Sequence, residues 1–243
     1  MISVSYHFYE RGEFIIYNIF LAIIRRVSKF FVHVFYAISF ISIAVLVVLN
    51  TTSVYKYVIY KYELTKYTGL SAEVLMENYK RTIYYVQNPF IKELTFNSVP
   101  MSNFARIHFF EVKRIFIALY IFSIAFILIM IIKILANRNN NFGKKLISSF
   151  SSSVNIVAVI FISVSAGASV DFDRAFYFFH KVFFRNDYWI FDPNIDPIIN
   201  ALPEELFMIE FMLIVAVLII FTVIIKVLNH KLKRSKSSIS FKR

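Results

Sequence analysis

Four apolar runs punctuate the chain at a length that matches a bilayer, which takes about 20 residues of helix to cross. Phe30 to Leu49 is interrupted only by His33 and the small hydroxyls Ser39 and Ser42. Ile115 to Ile132 is bracketed by Lys113, Arg114 and Lys133, and Leu206 to Ile225 holds one charge, Glu210, before it stops at Lys226. Leu146 to Val170 opens with Ser148, Ser149, Ser151, Ser152 and Ser153, then runs apolar from Val154 to Val164 apart from Asn155 and Ser163. Its small residues suit a helix packed closely on others. Phe14 to Ile24 is also apolar but too short to span, and predicts an interfacial or cytoplasmic helix, with Arg25, Arg26 and Lys29 marking entry to the first span. The pattern therefore predicts an all-α membrane fold. A four-helix transmembrane bundle occupies 30–225, with an N-terminal cytoplasmic or interfacial segment 1–29 and a basic cytoplasmic tail 226–243.

Two loops between the spans are long enough to form a small cap. The first, 50–114, begins with Val54-Tyr-Lys-Tyr-Val and Tyr60-Lys-Tyr-Glu-Leu64, where alternation and Tyr content predict short β-strands. Ser71 to Gln87 predicts an amphipathic helix with Val74, Leu75, Tyr79, Ile83 and Val86 on one face, and Leu94-Thr-Phe96 predicts a further strand. In the second loop, 171–205, Phe172, Phe176, Phe179 and Phe183 recur at helical spacing, and beyond Asn186 the chain becomes turn-rich at Asp192-Pro193 and Asp196-Pro197.

Charge sets the orientation. Residues 133–145 hold Lys133, Arg138, Lys144 and Lys145 with no acid, and 226–243 hold seven Lys or Arg with none, whereas 171–205 carry three basic residues against seven acids. Basic segments stay on the cytoplasmic side. Both termini and the 133–145 loop are thus expected inside, and loops 50–114 and 171–205 outside. Composition agrees, with 58% hydrophobic and 17% charged residues. The +12 net charge falls largely on the cytoplasmic face, where anionic headgroups neutralise it, so a nucleic-acid partner is not needed to explain it. The absence of Cys excludes disulfides, thiolate metal sites and a Cys nucleophile. No small-residue cleavage site follows the first apolar run, which reads as an uncleaved anchor.

Two of the five His residues, His108 and His180, fall in outer segments near a membrane boundary. Each has carboxylates at helical spacing. Glu111 lies three residues after His108, and Asp173 lies two turns before His180 on a face shared with Tyr177. The alternative is a pair of interfacial imidazoles reaching water. His7, His33 and His230 read as structural or solvated, and Glu210, as an intramembrane carboxylate, is a functional candidate satisfied either by the cap or by Arg174. Asp171 and Asp173 fall on different helical faces and no His pair stands at i, i+4, so no metal is expected. Nucleophile-elbow, P-loop and dinucleotide motifs are absent.

The segment Phe172-Asp-Arg-Ala-Phe-Tyr-Phe-Phe-His-Lys-Val-Phe-Phe184, followed by Asn186-Asp-Tyr-Trp-Ile-Phe-Asp-Pro193, Asp196-Pro-Ile-Ile199 and Pro203-Glu-Glu-Leu-Phe207, strongly resembles the membrane lipoprotein intramolecular transacylase family, Lit. His108-Phe-Phe-Glu-Val-Lys113 is similar to that family's His-Met-x-Asp-Val motif, with Glu111 in place of Asp and Phe109 in place of Met. The resemblance spans roughly residues 30 to 230. It implies an acyltransferase that acts on diacylated bacterial lipoproteins at the outer face of the cell membrane, without a cofactor. The sn-2 acyl chain of the S-diacylglyceryl N-terminal Cys moves to that residue's α-amine, giving the lyso form.

An intramolecular transfer needs no Ser or Cys nucleophile, because the amine and its own ester are held at high effective concentration. What it needs is proton handling, which imidazole supplies near neutral pH. His108 and His180 are the expected acid–base pair, with Glu111 and Asp173 orienting them, and Arg174, Tyr177 or the Trp189 N–H supporting the oxyanion. Membrane lipids and acyl chains would line the aromatic helix and the span interfaces. The competing readings are another outer-leaflet lipid acyltransferase or hydrolase, and a non-catalytic assembly or transport subunit with Glu210, Asn155 and His33 along a polar path.

Overall fold

The computed structural model describes residues 2–137 and 141–240, with side chains over 17–137 and 141–234. Arg138, the side chain of His7 and the end of the basic tail lie outside the described residues. The chain is built from helices, and no strand occurs among the described residues. Four helices are long and apolar enough to cross a membrane: α1 (Ile2–Leu49), α5 (Asn103–Ala136), α6 (Phe142–Val170) and α8 (Glu204–Ser240). Between α1 and α5 lie α2 (Ser53–Lys61), α3 (Leu64–Thr68) and α4 (Ala72–Gln87); between α6 and α8 lie α7 (Phe172–Phe183) and a 3₁₀ turn, Pro197–Ala201.

No break precedes the first span. Residues 14–24 continue directly into it as part of α1. Arg25, Arg26 and Lys29 are good helix formers, and no Gly or Pro stands between residues 13 and 49 to interrupt the hydrogen-bond ladder. Burial begins only at Tyr36, whereas Phe30 and Phe31 remain exposed. From there α1 packs against α5, α6 and α8, and α6 packs against α8. Ala37 and Ala44 meet Val157 of α6 and Leu218 of α8, where the small side chains permit close approach. Ser39, Ser42 and Ser153 are buried on these faces and return their hydroxyls to the carbonyls of Phe35, Ile38 and Ser149. The serine-rich start of α6 is thus a packing surface.

The strand expected at 54–58 lies within helix α2, and the one expected at 60–64 runs from the end of α2 through a turn to the first residue of α3. The residues of α2 that are buried are Tyr55, Val58 and Ile59, a spacing of three and one, while Tyr57 on the alternating pattern is exposed. Helical periodicity was present beneath the Tyr alternation, and the available partner decided for it. The segment 91–97 has no regular structure. In α4, Ser71 caps the first turn by accepting from the Val74 N–H, and Leu75, Tyr79, Tyr85 and Val86 face inward. These residues form one core with Leu46, Leu49, Ile198 and Leu206, which seats the cap on the loop-bearing end of the bundle.

Polar contacts hold the two loops together. The Tyr55 hydroxyl donates to the Ala201 carbonyl at 2.7 Å, and its ring stacks on Tyr79 at 4.1 Å. Asp196, almost fully buried, accepts from the Ser102 N–H at 2.6 Å and from the Ser102 hydroxyl at 2.7 Å. Ser102 is also the N-cap of α5, its oxygen accepting from the Ala105 N–H. One carboxylate therefore ties the second loop to the first turn of the helix that carries His108.

Candidate active site

His108 lies in the second turn of α5 and His180 in the last turn of α7. Both are only 8% exposed, and their ring centroids are 6.0 Å apart with planes inclined by 34°. Aromatic rings enclose them. Phe184 lies 4.8 Å from His108 and 5.5 Å from His180, Phe191 stands 5.6 Å from His108, and Phe176 packs 4.2 Å from His180. The indole of Trp189 stacks on the His180 ring at 4.4 Å, and Tyr177 meets that indole edge-on at 5.4 Å.

The hydrogen bonding assigns a tautomer. His180 Nδ1 sits 2.8 Å from the Phe176 carbonyl oxygen, which can only accept, so Nδ1 carries the hydrogen and Nε2 carries the lone pair. Burial holds the His180 pKa below its ordinary value, opposed in part by that hydrogen bond, and the ring is neutral at neutral pH. His108 Nδ1 is buried without a hydrogen-bond partner, as are Glu111 Oε2 and Trp189 Nε1.

The carboxylates do not orient the imidazoles as the spacing suggested. Glu111 Oε1 accepts from Asn186 Nδ2 at 2.8 Å, and Glu111 Oε2 and His108 Nδ1 both lack partners, so the two side chains do not bond each other. Asp173 is exposed and stands beside Glu204 at the start of α8, and the place expected for it on His180 is taken by the Phe176 carbonyl. Asp171 caps α7 by accepting from the Arg174 N–H, and the Arg174 side chain, 89% exposed, turns back to Asp171. The structure thus brings together His108, His180, Trp189 and Tyr177, sets Glu111 beside them through Asn186, and leaves Asp173 and Arg174 apart. Glu210 accepts from the Tyr79 hydroxyl of the cap at 2.8 Å, and Asn155 accepts from Lys226 at 2.6 Å, so these polar residues of the spans have separate partners.

The family model described as lipoprotein intramolecular transacylase Lit matches residues 30–207. The chain belongs to the Lit family. It is an acyltransferase and a multi-pass membrane protein. It is similar to the in meso structure of the membrane-integral lipoprotein intramolecular transacylase Lit from Bacillus cereus, at 28% identity and a TM-score of 0.76, over 89% of this chain and 99% of that one. It also matches two variants of that protein. One has a histidine replaced by arginine, with 26% identity, a TM-score of 0.70 and 91% and 97% of the two chains covered. The other has a histidine replaced by alanine, with 26% identity, a TM-score of 0.69 and 91% and 99% covered. No curated protein matches the sequence.

Within this Lit fold, three residues that carry the sequence resemblance but have no role assigned from the sequence shape the site. Asn186, read there as a loop divider, donates to Glu111 and accepts from the Tyr188 N–H at 3.0 Å. Its local signal is the Asx turn, in which an Asn oxygen bonds the backbone two residues on. Phe184 touches both imidazoles and Asp196 anchors the loop, and neither role has a local signal. The resulting aromatic cluster offers a neutral imidazole nitrogen, an indole donor and apolar surroundings. Such a set can take up a proton and stabilise an oxyanion.

Proposed function

We propose that the enzyme moves the sn-2 acyl chain of an S-diacylglyceryl N-terminal Cys onto the same residue's α-amine, at the outer face of the cell membrane. In this reading both termini and the 133–145 loop are cytoplasmic, 30–225 form the catalytic membrane domain, and 1–29 and 226–243 flank it. Diacylated bacterial lipoproteins are the substrate, surrounding lipids accommodate the chains, and neither cofactor nor nucleic acid takes part. The observation that carries the reading is the pair of buried imidazoles 6.0 Å apart, one with its lone pair at Nε2, in an aromatic cluster.

The amine nitrogen attacks the ester carbonyl carbon, and its proton passes to His180 Nε2. The tetrahedral intermediate collapses with cleavage of the bond to the glyceryl oxygen, which takes up a proton as it leaves as a free hydroxyl. His108, beside His180, exchanges protons with it so that one imidazole serves the amine and the other the leaving oxygen. The Trp189 N–H, buried and otherwise unpartnered, donates to the oxyanion. No water or second lipid enters the balance. Apolar walls retain the acyl chain at about 0.8 kcal/mol per buried methylene.

The test is conversion of purified diacyl lipoprotein in detergent with no added lipid or metal. His180→Gln and His108→Gln are expected to lower turnover by roughly 10² to 10⁴, the range for loss of general acid–base catalysis, with little change in thermal stability. His33→Gln and His230→Gln should stay near wild type. Appearance of label from an added phospholipid in the product amide would instead identify a donor-dependent acyltransferase.

A further inference from the structure

Glu111 is a carboxylate whose two oxygens are treated differently. Oε1 accepts from Asn186 Nδ2, whereas Oε2 is buried and has no donor. A desolvated carboxylate oxygen without a donor is costly, and a donor arriving with a ligand relieves that cost. Asn186 is itself fixed at both ends, because its Oδ1 accepts from the Tyr188 N–H and the Tyr188 ring stacks on Phe104 of α5 at 4.6 Å. The Asn186–Glu111 contact therefore holds the carboxylate in one rotamer and aligns the segment that carries Trp189 over His180. Glu111 stands one helical turn from His108.

We infer that Glu111 binds the α-amine of the substrate's N-terminal Cys, a role that rests on the acyl transfer proposed above and adds an acceptor site to it. Among the groups such a substrate brings to the cluster, the amine is the one rich in N–H donors that gains positive charge as it attacks. A fixed carboxylate at hydrogen-bond distance from that nitrogen favours the tetrahedral intermediate more than the starting amine. The proton then leaves nitrogen for His180 Nε2, and Glu111 keeps its contact with the nitrogen. Glu111 is thus a substrate-binding residue and Asn186 its positioning residue.

The experiment separates binding from turnover by using His180→Gln protein in detergent. The ligands are a synthetic S-diacylglyceryl-Cys peptide with a free α-amine and the same peptide lacking that amine. The His180→Gln protein is expected to bind the amine-bearing peptide more tightly, by roughly tenfold or more, as for a charge-assisted hydrogen bond. Adding Glu111→Gln, which keeps the size and the contact with Asn186, should abolish the preference, and adding Glu111→Asp, which keeps the charge, should retain part of it. An undiminished preference in the Glu111→Gln protein would overturn the assignment. So would equal binding of the two peptides by the His180→Gln protein. Failure to bind either peptide would overturn both this inference and the cluster as the substrate site. Full turnover by His180→Gln would instead count against the proposed acid–base pair alone.

Discussion

The contact between Asp196 and Ser102 ties the two outer loops together, and its removal should be felt both in stability and at the site. Asp196 is 4% exposed and accepts two hydrogen bonds from Ser102, one from the N–H at 2.6 Å and one from the hydroxyl at 2.7 Å. Hydrogen bonds to a charged group contribute about 1.5–3 kcal/mol each, so Asp196→Ala is expected to cost at least about 3 kcal/mol. At this chain length that corresponds to a fall of roughly 6–12 °C in Tm, if unfolding is a single cooperative step. Asp196→Asn keeps an acceptor for the N–H and should lose about half as much. Thermal unfolding in detergent reads this, and turnover on diacyl lipoprotein should fall alongside, because residues 186–196 carry Trp189 and Phe191 onto the histidines. An Asp196→Ala protein with unchanged Tm and unchanged turnover would refute the idea that this contact holds the site together.

Activity should fall as pH drops below the ordinary histidine range. Burial lowers the folded-state pKa of His180, so its base form persists to lower pH than a free imidazole's, and a kcat/KM profile should show its acid limb below about 6.5. For stability the sign is the same: the unfolded state binds the proton more readily, so stability falls as pH drops from the unfolded pKa through the folded one. Trp189→Phe keeps a ring to stack on His180 but removes the N–H, and should lower kcat on the order of 10² if that group stabilises the oxyanion, whereas Arg174→Gln should leave turnover near wild type. A Cys introduced at position 62 or 190 should react with an impermeant thiol reagent on intact cells and one at 140 should not; labelling at 140 alone would reverse the topology.

The spans were legible because a bilayer imposes one length and one polarity on any crossing helix, as α5 and α8 show. Less was legible where a partner decides the outcome. Tyr55, Tyr57 and Ile59 fit strand alternation in isolation, and only the core beneath the cap selects Tyr55, Val58 and Ile59 as a helical face. Arg25, Arg26 and Lys29 lie inside α1, because polarity marks where a helix leaves the apolar layer and not where it ends. At the site, the residues near His108 and His180 in sequence were evident, but side-chain direction was not. Asp173 stays exposed beside Glu204 and Glu111 turns to Asn186, choices set by which loop segments meet. That Asp196 and Asn186 bridge from the second loop to α5 is a tertiary fact with no period or spacing to announce it.

Mass spectrometry of a lipoprotein N-terminal peptide, from otherwise identical cells that lack the enzyme or carry the wild-type or His180→Gln protein, reports directly where the acyl chains sit. The wild type should yield an N-acylated Cys bearing a monoacylglyceryl thioether, while cells without the enzyme and His180→Gln cells should retain a free amine and a diacylglyceryl group. N-acylation with the diacylglyceryl group left intact would contradict intramolecular transfer.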